Sequence, residues 1–189
     1  TIHAAASAAF DSVDLLRGLW CLFATYRSWS FSFGTPKREP VGVVHTGPVH
    51  TLHHPDGKPA RDIFWHTLEA REERKLFTPD GGWDAVEKHR RWAMRLIGRS
   101  PVREDIERLV MRYAVALDHS DHDVAFLEMW SILEKLTDTV GRHEETVRRA
   151  AWPYKEGALA KELLECLRLR RNLYVHAARR SEDPDQIVY

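Results

Sequence analysis

Near the end of the chain, Arg171-Asn172-Leu173-Tyr174-Val175-His176 combines side chains suited to metal-free cleavage of a phosphodiester. Imidazole titrates near neutrality, so His176 can take a proton from a ribose hydroxyl or return one to the leaving oxygen. The forked guanidinium of Arg171 can bind phosphate through two parallel hydrogen bonds and offset charge that builds in the transition state. Asn172 can orient the imidazole or donate to the phosphate. Neither a metal nor a cofactor is required. Arg170 is a spare cation beside the motif, and Arg168 and Arg179 extend a basic surface suited to RNA. Glu134, further upstream, is a candidate partner for Arg171 or Arg170.

The bare spacing carries no weight, because it recurs from Arg38 to His45, Arg61 to His66 and Arg112 to His119. Context separates Arg171 and His176, which fall inside a long helical pattern expected from about Glu156 to Arg179. On such a helix Asn172 and His176 are about 40° apart and share a face, while Arg171 lies about 140° from His176 and reaches round by its length. Leu159, Leu163, Cys166 or Leu167, Leu173 and Ala177 are expected to form the buried face of this helix.

The remaining elements follow from period and punctuation. Asp11 to Tyr26 reads as a helix, with Val13, Leu16, Leu19, Trp20 and Phe23 at helical spacing. Residues 28 to 60 then change character. Trp29-Ser30-Phe31-Ser32-Phe33 alternates with period two, Val41-Gly42-Val43-Val44 and Val49-His50-Thr51-Leu52 follow, and Asp56-Gly57 marks a turn. A small β insertion is expected there, with helix resuming after Pro59. Further helices are expected around Trp83 to Ile97, from Ser100-Pro101 with the proline at the first helical position, from Val124 to about Thr137, and from His143 to Trp152 with Pro153 as the stop. The fold class is all-α: a single helical-bundle domain over residues 1–189 with a small β-hairpin insertion near the N-terminus.

Composition excludes several classes. Hydrophobic residues make up 43% and charged residues 30%, as in a globular protein. No apolar run approaches the roughly 20 residues that span a bilayer, so no membrane association is expected. No secretory signal pattern opens the chain, which fits a cytoplasmic location, and the missing Met fits a piece cut from a longer protein. Cys21 and Cys166 are expected as buried reduced thiols. Lys plus Arg and Asp plus Glu balance at 28 each, so attraction for phosphate is local to Lys161–Arg180, where Glu162 and Glu165 are the only acids.

The sequence Arg-Asn-x-x-Val-His near the end of a helical domain resembles the HEPN family, whose hallmark is Arg, four to six residues, then His. Phe126-Leu127-Glu128-Met129-Trp130-Ser131-Ile132-Leu133-Glu134-Lys135-Leu136-Thr137 is similar to that family's partner helix. Leu15-Leu16-Arg17-Gly18-Leu19 and the β insertion after it look like the Apea-like group. The resemblance is strongest over residues 110 to 180. It implies a metal-independent endoribonuclease acting in phage defence or as a toxin, and a homodimer in which two such helices face each other across a composite cleft on the two-fold axis. Some members carry a Tyr two residues after the His; this chain has Ala178. The competing reading is a non-catalytic HEPN-like module that binds RNA or nucleotide, or simply dimerises.

Other groupings have simpler readings. His45, His50, His53, His54 and His66, with Asp56, match no zinc spacing and fit a solvated hairpin. In Asp118-His119-Ser120-Asp121-His122-Asp123, capping by Ser120 or Asp121 explains the composition without a metal. Trp29, Phe31 and Phe33 fit a half-buried strand face better than a base-stacking platform.

Overall fold

The computed structural model describes residues 2–24, 41–47, 49–66, 77–79 and 81–180, without the side chains of 2, 61–63, 66 and 176–180. Among the described residues the chain is predominantly helical, with one small antiparallel hairpin toward its N-terminus, as the sequence pattern predicts. In chain order the elements are α1 (Ile2–Ala24), β1 (Val49–His53), β2 (Pro59–His66), α2 (Gly82–Ile97), α3 (Arg103–Ala116), α4 (His122–Leu136), α5 (His143–Ala151) and α6 (Gly157–Arg180). Backbone contacts group them into two compact units. The first holds α1, the hairpin, α2 and α3 and ends at Asp118. The second holds α4, α5 and α6.

In the first unit α1 packs on α3 and α2. Its alanine-rich start favours helix, and the element begins earlier than Asp11. Gly18 sets the approach to α3: a Cβ there would stand 2.5 Å from the Val110 carbonyl oxygen, so any larger residue would push the helices apart. Leu19, Ala93 and Ile97 form the core, with Phe23, Met94, Ile106 and Val110 against it. Beside Gly18, Arg17 is buried at 4% exposure. It donates to Asp14 Oδ1 at 2.7 Å and to Asp118 Oδ2 at 2.7 Å, and His45 Nδ1 lies 3.2 Å from Asp118 Oδ1. Burial would raise the Asp118 carboxyl, but the bonds from His45 and Arg17 outweigh it and hold it below its usual range.

The hairpin pairs Val49 with His66, His50 with Trp65, Thr51 with Phe64 and His53 with Pro59. Its turn is the expected Asp56-Gly57. Gly57 adopts φ 83°, and Asp56 accepts from the Lys58 amide at 3.2 Å. Phe10 of α1 meets His50 and Trp65 edge-on, with ring centroids 5.1 and 6.2 Å away.

Several expectations are corrected. Helix does not resume after Pro59: the residues to His66 form β2, because the Asp-Gly turn returns the chain beside β1 and Phe64 and Trp65 suit a pleated surface. Pro59 opens that strand, where its missing N–H costs least. Residues 41–44 form no strand. The Gly42 amide instead donates to Leu117 O at 3.1 Å, and a Cβ on Gly42 would stand 3.4 Å from Leu117 Cβ and O. Pro101 precedes α3 rather than opening it, since Ser100 Oγ accepts from the Val102 amide at 3.3 Å and Val102 takes the cap position. Trp29, Phe31 and Phe33 lie outside the described residues.

In the second unit Asp121 caps α4, accepting from the amides of Asp123 and Val124 at 2.9 and 3.3 Å, as the composition suggested. At the other end Asp138 takes φ 52°, with its amide bonded to Lys135 O and that of Thr139 to Glu134 O. This is the double hydrogen bond of a left-handed helix stop, usually made by glycine. Pro153 ends α5 where expected, just past its cap Trp152. The expected buried face of α6 is overturned: Leu159, Leu163, Leu167 and Leu173 are exposed, Leu173 at 71%. Cys21 is buried but Cys166 is exposed. On α6 Cys166 and these leucines share one face, the half-buried positions 164, 168, 171 and 175 lie on the other, and the side chain of Ala177 is outside the described residues. Sequence periodicity cannot say which of two stripes is inward when a helix carries both.

Replacing Asp118 by Asn should destabilise the protein by about 1.5–3 kcal/mol, since it removes a charged partner of a buried guanidinium. The native Asp118 has a folded pKa below its ordinary 3.8. Its contribution is therefore complete above that value and is lost as pH falls through the lower folded value. Urea denaturation from pH 7 down to pH 2 should show the variant less stable at pH 7 and less sensitive to acid.

Candidate functional site

Helix α6 carries the candidate residues. Its sequence, rich in Ala, Leu, Glu and Arg, propagates helix well, and it packs against α5 and α4. Arg171 and Asn172 are half-buried, and Arg171 Nη1 donates to Asn172 Oδ1 at 3.3 Å. The backbone of His176 and Arg179 continues the same helix, but their side chains lie outside the described residues. Of the four Arg-to-His pairs, Arg171 and His176 fall within one helix. Arg61 and His66 share strand β2, His119 lies beyond the end of α3, and Arg38 is outside the described residues.

The arginines of α6 are not equivalent. Arg168 is held by Glu165, with Nε 2.8 Å from Oε1 and Nη2 on the same oxygen. That bond raises the Arg168 pKa and lowers that of Glu165, so the charge expected to face RNA is largely matched within the helix. Arg170 lies over the Phe126 and Tyr174 rings at 5.7 and 5.5 Å. It also reaches Tyr174 Oη at 3.5 Å and Asp123 Oδ1 at 3.4 Å. Arg171 forms no ion pair with a carboxylate among the described residues.

Glu134 pairs with neither Arg170 nor Arg171. It is buried at 7% exposure, and its Oε1 accepts from Trp130 Nε1 at 3.2 Å and meets His143 Nδ1 at 2.6 Å. The reason is helical phase: Glu134 stands one turn beyond Trp130 on the inner face, where the first turn of α5 supplies the nearest donor. The sequence reading missed His143. It lies nine residues beyond Glu134 and across a turn, a separation that no periodicity reports. Beside this group Thr137, Thr139 and Thr146 form a hydroxyl chain, 2.7 Å between the first two and 2.6 Å between the last two. Thr139 and Thr146 are fully buried.

The alternative groupings have other occupations. Asp118 serves Arg17 and His45, Asp121 is a cap, and Asp123 meets Arg170. His119 Nε2 lies 3.4 Å from Glu128 Oε1, close enough to attract but without hydrogen-bond alignment. His53 bridges Thr51 Oγ1 and Gly57 O, each at 2.8 Å. Among the described residues no group of three or more His, Cys, Asp or Glu is placed to hold a metal ion, and no helix is long and apolar enough to cross a membrane.

No protein-family model matches this chain, nor does any curated protein or solved structure.

Glu134→Ala should cost about 1–3 kcal/mol for each buried donor that it strands, Trp130 Nε1 foremost. Glu134→Gln keeps an acceptor oxygen and should cost less. Chemical denaturation of the two variants checks this order, and equal stability of Glu134→Ala and wild type would remove the structural role.

Proposed function

We propose that this chain is a metal-independent endoribonuclease of the HEPN type, with Arg171 and His176 as its catalytic pair. One observation carries the reading. On a helix whose neighbouring arginines are engaged by Glu165 and Asp123, Arg171 has no carboxylate partner among the described residues and is braced by Asn172, one turn before His176. A braced, unneutralised guanidinium suits a phosphate. The resemblance of the motif and of α4 to that family adds to it.

In the reaction, His176 takes the proton of a ribose 2′-hydroxyl as that oxygen attacks the adjacent phosphorus. The bond from phosphorus to the 5′-oxygen of the next nucleotide breaks, and that oxygen takes a proton from the protonated imidazole. Arg171 offsets the charge of the pentacoordinate phosphate. Asn172 fixes the guanidinium, and Arg170, leaning on Phe126 and Tyr174, adds to the local potential. The biological setting proposed is cytoplasmic, in phage defence or as a toxin.

The proposed assembly is a homodimer with α6 near the two-fold axis. Its support is the row of exposed Leu159, Leu163, Leu167 and Leu173 along one side of α6, with Arg170 among them, since exposed apolar side chains grouped in this way mark an interface. The same face also supports a dimerisation module without catalysis, so activity decides between the two.

Purified protein should cut RNA in the presence of chelators and leave 2′,3′-cyclic phosphate ends or their hydrolysis product. His176→Ala should lose about 10²- to 10⁴-fold in kcat. Arg171→Ala should lose about as much as removal of one transition-state donor, 10²- to 10³-fold, and Arg171→Lys should restore little. Gel assays of cleavage with melting curves check this; wild type that leaves RNA intact would return the chain to the non-catalytic reading.

Sedimentation equilibrium at micromolar concentration should report a dimer. Leu163→Glu with Leu173→Glu should give a monomer that melts as a folded protein, because both side chains are exposed within one chain. A wild-type monomer would remove the two-fold arrangement.

A further inference from the structure

We propose that a second site, a cleft of about 750 Å³ between the ends of α4 and α5 and the start of α6, binds a nucleotide, with its base on Trp152 and its phosphate between Arg148 and Lys161. The proposal is independent of the ribonuclease reading, because it requires no cleavage and uses none of Arg171, Asn172 or His176.

Trp152 is the starting point. It is 86% exposed at the cap position of α5, one turn after Arg148, so both lie over the same edge of the cleft. A nearly bare indole costs solvation without contributing to the core, and its flat face suits a second aromatic ring. Exposed Leu136 gives the cleft an apolar wall. Lys161, from α6, forms no ion pair among the described residues.

The cations sort themselves by their existing bonds. Arg149 is structural: Nη1 donates to Thr137 O at 2.8 Å at the end of α4, and Nε donates to Glu145 at 2.9 Å. Arg148 donates Nε to Glu145 Oε2 at 3.0 Å and Nη2 to Oε1, as Arg168 does to Glu165, but its side chain is far more exposed than that of Arg168, and its Nη1 has no partner among the described residues. Bonds from Arg148 and Arg149 hold the Glu145 carboxyl down to about 2, so it stays anionic and fixes the base of Arg148. On the other flank of Arg148 and Lys161 lies a second cleft lined by Glu144, Glu145, Glu162 and Glu165. Its carboxylates disfavour a phosphate on that flank. A planar ring joined to a phosphate meets both halves of the site. That chemistry belongs to a free nucleotide or to one nucleotide of a single-stranded RNA.

The test is calorimetric titration of the full chain carrying His176→Ala, so that any RNA stays intact. The probes are AMP, adenosine, inorganic phosphate and a five-nucleotide single-stranded RNA. AMP should bind about tenfold or more tightly than adenosine or phosphate alone, because stacking and phosphate contacts each contribute. Trp152→Ala should abolish the advantage over phosphate, and Lys161→Glu the advantage over adenosine, with melting temperatures unchanged. Trp152→Tyr keeps an aromatic face and should retain binding. Binding of the oligonucleotide that is tighter than that of AMP and is weakened by Trp152→Ala assigns the site to an RNA strand, and Trp152-dependent binding no tighter than that of AMP assigns it to a free nucleotide. AMP binding no tighter than phosphate, or Trp152→Ala binding AMP as wild type does, overturns the proposal.

Discussion

The second unit depends on one buried carboxylate. Glu134 sits where α4 ends and α5 begins, and it is removed from water. A carboxylate in that position is tolerated only when donors converge on it. Trp130 supplies one from within α4, and His143 supplies another from α5. The pair of bonds therefore fixes the phase of α4 and the entry of α5 together. The left-handed Asp138 lets the chain reverse between them, and the threonine chain fills the space that apolar side chains fill elsewhere. α6 rests on this frame, with α5 and α4 as its packing partners. The helix that carries Arg171 is thus packed on two helices whose junction is fixed by a polar cluster that takes no part in the proposed chemistry.

The first unit follows the same rule with opposite charge. Arg17 is buried where α1 approaches α3, and the approach is close because position 18 has no side chain. Gly18 alone would weaken α1, since glycine disfavours helix by about 1 kcal/mol relative to alanine. The contact with Val110 and the pairing of Arg17 with Asp14 and Asp118 offset that cost. Asp118 also holds His45, so the segment after α1 is tied to the end of α3. In both units a charge at a helix junction gives direction to packing that apolar contacts alone leave loose.

The legible parts of the sequence were those where one local cause decides. The Asp56-Gly57 turn, the stop at Pro153 and the cap at Asp121 each rest on one or two residues, and each was readable. The helices were readable by period, though not by face. Leu159, Leu163 and Leu167 repeat as a core stripe would, yet the half-buried residues of α6 are those on its other side, Arg168 and Arg171 among them. The second strand was misjudged because Pro59 reads equally as a helix opener and a strand opener, and the choice falls to the pairing with β1. Glu134 was noticed as a charge near arginines; its partner His143 lies nine residues on, across a turn whose geometry no periodicity reports. At the candidate site the motif was legible, but the sorting of its arginines was not. Arg168 is neutralised by a residue three positions earlier, Arg170 by residues of α4, and Arg171 by none described.

That sorting bears on how two copies would share a site in the proposed dimer. Take the exposed leucine face of α6 as the reference direction. Leu173 and Leu167 lie on either side of its centre, and position 171 falls about 40° beyond Leu167 on one flank while position 176 falls about 60° beyond Leu173 on the other, at 100° per residue. The two positions proposed as catalytic therefore bracket the leucine side rather than sit on it. When helices pair through such a face, a parallel arrangement brings unlike flanks together and an antiparallel one brings like flanks together, as at the flanking positions of coiled coils. A parallel pairing sets Arg171 of one copy toward position 176 of the other, forming two composite sites. An antiparallel pairing sets the two 176 positions on a common flank, where one residue can serve as base and its counterpart as acid, while each Arg171 must reach round from the opposite flank to the phosphate. The second arrangement divides the proton transfers between two imidazoles, so a mixed dimer with one His176→Ala chain would lose activity in full. The first arrangement keeps one intact pair in such a dimer, and half of the activity would remain.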